Sequence, residues 1–152
     1  MKDDFFYTKV HLEFAIRSED EDVTVITKSL RIEPNRFFNK GDTIEVNGIL
    51  RNGKRPHGIW AIAKSFTSAD PNINEHIESF NKILSNKKSE LESLKREYGF
   101  EFIFQISATT EDAGFGFDLN KSELRFLSEI VDRFTCFFNV VEELADKENV
   151  SA

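Results

Sequence analysis

The chain has 152 residues, 39% apolar and 31% charged, with a formal charge of −7 at pH 7. That length builds one hydrophobic core without staples, and the single cysteine, Cys136, excludes an internal disulfide and any CxxC metal or redox motif. The acidic balance argues against nucleic acid as a partner, because phosphate binding needs a cationic surface, and no apolar run reaches membrane-spanning length. The opening MKDDFFYTKVHLEF lacks the apolar core of a signal peptide, so the expected location is the reducing cytoplasm. Sixteen phenylalanines stand against one methionine and one tryptophan. They supply ample driving force for burial, or else form a sticky surface patch.

Residues 7–16, YTKVHLEFAI, alternate: Thr8, Val10, Leu12, Phe14 and Ile16 share one side, which predicts a half-buried strand. SEDED breaks it. Asp22 can cap a short helix over 22–30, with Val23, Ile26 and Leu30 spaced by three and four, although the β-branched run VTVIT also suits a strand. Pro34 ends this element, since the residue before proline is pushed out of the helical region. NKGD then reads as a turn, TIEV and IWAIAKSF as strands, and the glycine-rich span between them as a long hairpin loop.

Asp70 as cap and Pro71 as first residue predict a helix that runs to Tyr98 on Ile73, Ile77, Phe80, Leu84, Leu91 and Leu94. SNKK at 85–88 can bend or divide it, and Gly99 stops it. FEFIFQISA is a strand, and FGFDL a further short one. Asn120 and Glu123 fit a capping box ahead of an apolar stripe of Leu124, Leu127, Ile130 and Val131. FTCFFNVV is a final strand, apolar on both faces and therefore expected at the centre of a sheet. The domain is expected to occupy 1–144, with a charged, frayed tail at 145–152.

The predicted order is β-α-β-β-α-β-β-α-β. It implies an α+β fold of split βαβ type, a mostly antiparallel sheet with three helices packed on one face.

Several of these pieces resemble a known family. The turn Leu30–Ile32–Pro34, then Lys40–Gly41–Asp42, then Gly58 with Trp60, followed by the amphipathic helix and the closing FGFDLNKSELRFLSEI and FTCFFNVV, are similar to a bacterial family of unknown function, DUF 4279. The resemblance spans roughly 7–142. It implies an α+β domain with no assigned reaction and no catalytic residues to carry over. Small stand-alone members of such bacterial families often look like immunity proteins encoded beside secreted toxins, an analogy that concerns function and not fold.

The residues themselves offer little catalytic chemistry. Cys136 sits between phenylalanines in a strand, where burial raises a thiol's pKa and leaves it inert. His11 and Glu13 share a strand face at ligand spacing, but Lys9 on the same face competes for the carboxylate, and His57 and His76 have no partner at metal-ligand spacing. No cofactor or metal is expected. Glu19, Asp20, Glu21 and Asp22 form a solvated acidic loop or, in a sharper reading, a docking patch for a cationic partner.

The segment 31–57 holds six cations against three acids, a local +3 that leaves −10 for the remainder. Within it, RNGKRPHGIW poses the main question of the sequence. It is either an exposed hairpin tip whose cations keep a sheet edge soluble or a site that grips an anion. Trp60 is expected to anchor the hairpin against the long helix.

Three functions follow, in order. The first is a non-enzymatic protein-binding module of immunity type, with Glu19, Asp20, Glu21 and Asp22 steering the encounter and Phe37 and Phe38 as aromatic contacts. The second is a small-anion or phosphometabolite pocket formed by Arg36, Lys40, Arg55, His57 and Trp60, with hydrolysis as an optional extension. The third is an oligomerisation domain whose phenylalanine-rich sheet pairs with another copy.

Overall fold

The computed structural model describes residues 5–144; the tail expected at 145–152 lies outside them. The elements are β1 (Thr8–Ser18), α1 (Thr24–Leu30), β2 (Arg36–Phe38), β3 (Thr43–Val46), β4 (Ile49–Lys54), β5 (Gly58–Ser68), α2 (Ile73–Ser85), α3 (Lys88–Tyr98), β6 (Glu101–Thr110), α4 (Lys121–Ile130) and β7 (Arg133–Val140). The class is α+β. Five strands form one sheet in the order β2-β5-β1-β6-β7, and β3 with β4 forms a separate two-stranded sheet.

The alternating N-terminal strand becomes the middle of the large sheet. β1 pairs antiparallel with β5 from Thr8 to Ser18 and with β6 from Thr8 to Arg17. One face of that sheet carries the core. Leu12, Phe14, Ile16, Trp60, Phe102, Phe104 and Ile106 pack there against Ile26 and Leu30 of α1, Ile77 and Phe80 of α2, Leu91 and Leu94 of α3, and Phe126 and Leu127 of α4. All four helices therefore cover the same face. Among the described residues the opposite face holds a small buried apolar strip of Ala15, Ile59 and Ala61, flanked by Phe38 and Ile103.

The structure corrects the expected fold in several places. The helices number four, because the long helix divides. Asn86 turns its side-chain amide back onto the Lys82 carbonyl at 3.0 Å, the competition with helical bonding that disfavours asparagine inside helices. The N-cap of α2 is Asn72, which accepts from the Asn74 amide at 3.1 Å, and not Asp70.

The sheet is mostly antiparallel, as expected, with one parallel pair: β7 runs beside β6 in the same direction, and a parallel pair needs a crossover, here supplied by α4. β7 is also an edge strand rather than a central one. FGFDL forms no strand; Phe115 and Phe117 instead pack their rings on Phe138 at 5.8 and 6.0 Å.

Finally, the long loop expected between TIEV and IWAIAKSF contains β4. The Asn47–Gly48 pair closes the β3–β4 hairpin, both residues adopting positive φ (52° and 74°) as a type I′ turn requires. β5 pairs with β1 and β2 and not with TIEV.

Other local expectations hold. Residues 24–30 are helical, and Asp22 Oδ1 accepts the Thr24 amide at 2.9 Å. Asn120 and Glu123 form the reciprocal capping box at the start of α4.

Candidate functional site

The β3–β4 hairpin stands outside the main sheet, so one side of it lacks the partner that the other strands have. Its turn is flanked by Val46, Ile49 and Leu50, which are 43%, 57% and 68% exposed. Three large aliphatic side chains around one turn leave an apolar tip, bordered by Glu45 and Arg51 in the same two strands. An exposed apolar cluster with a charged rim is the composition of a recognition surface.

A groove of about 660 Å³ lies between this hairpin and β2, lined by Arg36, Phe37, Phe38, Asp42, Glu45 and Arg55 among others. Its aromatic floor is Phe38, with the Arg55 guanidinium 4.1 Å above the ring and that of Arg36 5.8 Å away. The Arg55 backbone locks the hairpin base, donating to the Asp42 carbonyl at 2.9 Å and accepting from Gly41 at 2.8 Å. Its Nε is buried without a hydrogen-bond partner among the described residues. Asp42 and Glu45 in the same groove oppose the two arginines.

The residues singled out for anion binding are thus only partly brought together. Arg36 and Arg55 line the groove. Arg36 is committed elsewhere, since its Nη2 donates to Glu13 Oε1 at 2.7 Å. Lys40 binds Asp20 at 2.5 Å, a hydrogen bond that raises the lysine's pKa above 10.5. His57 sits beyond the groove, half-buried in the bend just ahead of β5. Trp60 is fully buried and its Nε1 donates to Thr27 Oγ1 at 2.9 Å, so it anchors β5 to α1 and lines no ligand site. The anchoring role stands, but its partner is the short helix, not the long one.

The acidic loop is likewise not a free anionic patch. Glu19 pairs with Arg17 at 2.9 Å and Asp20 with Lys40. Asp22 serves the backbone: the Thr24 amide, then Asn39, hold its carboxyl below the ordinary 3.8. The Glu21 carbonyl accepts from Ser18 Oγ at 2.7 Å. The two proposed sets meet at Lys40 and Asp20, so the charges expected to be segregated are interleaved. Phe37 is exposed, and Phe38 is covered by the arginines.

One polar cluster lies on the open face of the main sheet. His11 Nδ1 is 2.6 Å from Ser65 Oγ, and its Nε2 is 3.7 Å from Glu13 Oε2. The sequence Ser–His–Glu imitates a nucleophile relay, but the second link is too long for a hydrogen bond and Glu13 is already taken by Arg36. Burial pushes the Glu13 carboxyl up; interactions with His11 and Arg36 outweigh it and hold the pKa below 4.5. The arrangement reads as a satisfied buried carboxylate.

Cys136 is half-buried, and burial pushes its thiol above 9.0. Among the described residues no group of three or more His, Cys, Asp or Glu side chains is placed to hold a metal, and no helix is long and apolar enough to cross a membrane.

Sheet order, four helices on one face and a detached hairpin define a small α+β domain with one layer of helices and one bare sheet face. The chain belongs to the family described as a domain of unknown function (DUF4279), whose family model it matches over residues 8–135. No curated protein and no solved structure matches it.

Val46, Ile49 and Leu50 are not among the residues expected at a site. The sequence does mark their hairpin, because Asn–Gly between apolar residues is its strongest short-range signal; the neighbouring glycines and cations suit a loop equally well.

Proposed function

We propose that this protein is a non-enzymatic protein-binding module that presents the β3–β4 hairpin and its adjoining groove to a partner. The observation that carries the reading is the exposed apolar tip of Val46, Ile49 and Leu50 on a hairpin outside the main sheet. Removing such side chains from water against a partner contributes up to roughly 25 cal/mol per Å² before the costs of association are subtracted, whereas leaving them in water gains nothing for the fold. The groove supports the same reading. Two arginines, two carboxylates and an aromatic floor suit a polypeptide segment, which carries charges of both signs, better than a free anion. An immunity-type role is the narrower form of this proposal, with the product of a neighbouring toxin-like reading frame as partner.

The test is site-specific photo-cross-linking in the native host, with the cross-linker at Leu50 and, as control, at exposed Ser89 of α3. One partner protein joined at Leu50, absent at Ser89 and lost on Ile49→Ser, is the expected result. Equal adducts at both sites, or none at Leu50, would overturn the proposal. The rival anion pocket is read in parallel by thermal shift with inorganic phosphate and pyrophosphate. No shift is expected; a rise abolished by Arg55→Ala would replace the protein-binding reading with a ligand site.

A further inference from the structure

We infer that β7 is the subunit interface of a two-fold homodimer, in which the β7 strands of two copies pair antiparallel and join their sheets into one of ten strands. β7 is a regular edge: it pairs with β6 without interruption from Arg133 to Val140, and its free side faces away from the sheet. Between Phe134 and Val140 it has no charge, proline or bulge, the devices that keep exposed edges from pairing. Phe137, Phe138 and Val140 are 56%, 51% and 58% exposed. Its helix side is apolar throughout, with Phe134, Cys136, Phe138 and Val140, and on the open side Phe137 stands between Thr135 and Asn139.

Two features point to a second copy as the occupant. The first is closure. The opposite edge is β2, three residues long after Pro34 and carrying Arg36, continued by the end of β5 with Lys64, so it offers no comparable apolar edge; pairing through β7 alone ends at two chains. The second is shape and pattern. With the two-fold axis at Phe137, Phe134 faces the partner's Val140 and Cys136 the partner's Phe138 on the helix side, while Thr135 faces the partner's Asn139 on the open side. An apolar groove of about 300 Å³, formed by Leu124, Leu127 and Phe134 with their neighbours, then lies beside the partner's Val140.

The experiment is sedimentation equilibrium of the full chain under reducing conditions, with three variants. The wild type and Leu50→Lys are expected at twice the 17.6 kDa of one chain, and Phe137→Lys, which sets two ammonium groups at the axis, at 17.6 kDa with an unchanged circular-dichroism spectrum. In Cys136→Ser/Phe137→Cys, antiparallel strands bring the two Cα atoms to roughly 4.5–5.5 Å, within disulfide reach, so mild oxidation yields a covalent dimer. A monomeric wild type, open-ended oligomers, a Phe137→Lys dimer or failure to cross-link would each overturn the assignment. Because Leu50→Lys alters the hairpin alone, failure of this interface and failure of the hairpin proposal are read separately.

Discussion

Gly58 shows how closely single atoms are placed where β5 leaves the hairpin. A Cβ there would meet Val23 Cγ1 at 2.9 Å and the Phe38 carbonyl at 3.3 Å, and Val23 is fully buried with no room to yield. Gly58→Ala is therefore expected to destabilise the fold by about 1–3 kcal/mol, measured by urea unfolding. Arg36→Ala leaves the buried Glu13 carboxylate without its charged donor and is expected to cost about 1.5–3 kcal/mol, a loss that Glu13→Gln in the same chain should reduce. The sign with pH follows from the depressed Glu13 pKa. Its contribution is complete above 4.5 and declines as pH falls below it, so the acid slope of stability should flatten in Glu13→Gln. Of the sixteen phenylalanines, Phe5, Phe6, Phe37, Phe134, Phe137 and Phe138 are exposed. Residue type alone says which side chains favour burial; neighbours decide which of them achieve it.

At the scale of elements, the amphipathic helices and the alternating first strand were legible because period and solvent contrast coincide along them. α4 is the clearest case, with its capping box in place and Glu123 also accepting from Asn74 at 2.7 Å, which ties α4 to the start of α2. Asn120→Ala should lower stability by about 1 kcal/mol by urea unfolding. The elements that escaped prediction are those with little local signal. β2 is three residues held by pairing with β5, and FGFDL has strand-like residues but no strand beside it. The hairpin tip, which carries the proposed function, was obscured by glycines and cations that suit turns as well as strands.

For the whole molecule, the sheet has one edge short and charged and the other long and apolar. If β7 pairs with a second copy, folding is linked to association. The melting temperature of the wild type should then rise with protein concentration while that of Phe137→Lys stays flat, as differential scanning calorimetry would record. The acidic net charge of −7 does not describe any one surface, because Arg17, Lys40 and Arg36 are each answered by a nearby carboxylate. Charge counted along the chain reports solubility; charge paired across the fold determines what a surface offers.

Sequence by itself determined the α+β class, the helical faces, the capping box and the buried tryptophan, because each depends on neighbours within a few residues or on a period of two or 3.6. The resemblance to a family of unknown function was likewise carried by ordered local motifs. Only the tertiary structure decided that β7 lies at an edge, that the hairpin stands outside the main sheet, that Trp60 bonds to α1 and that Asp20 neutralises Lys40. Those outcomes depend on strand order and on contacts between residues 20 or more positions apart, and no local pattern encodes which of several compatible strands becomes a neighbour.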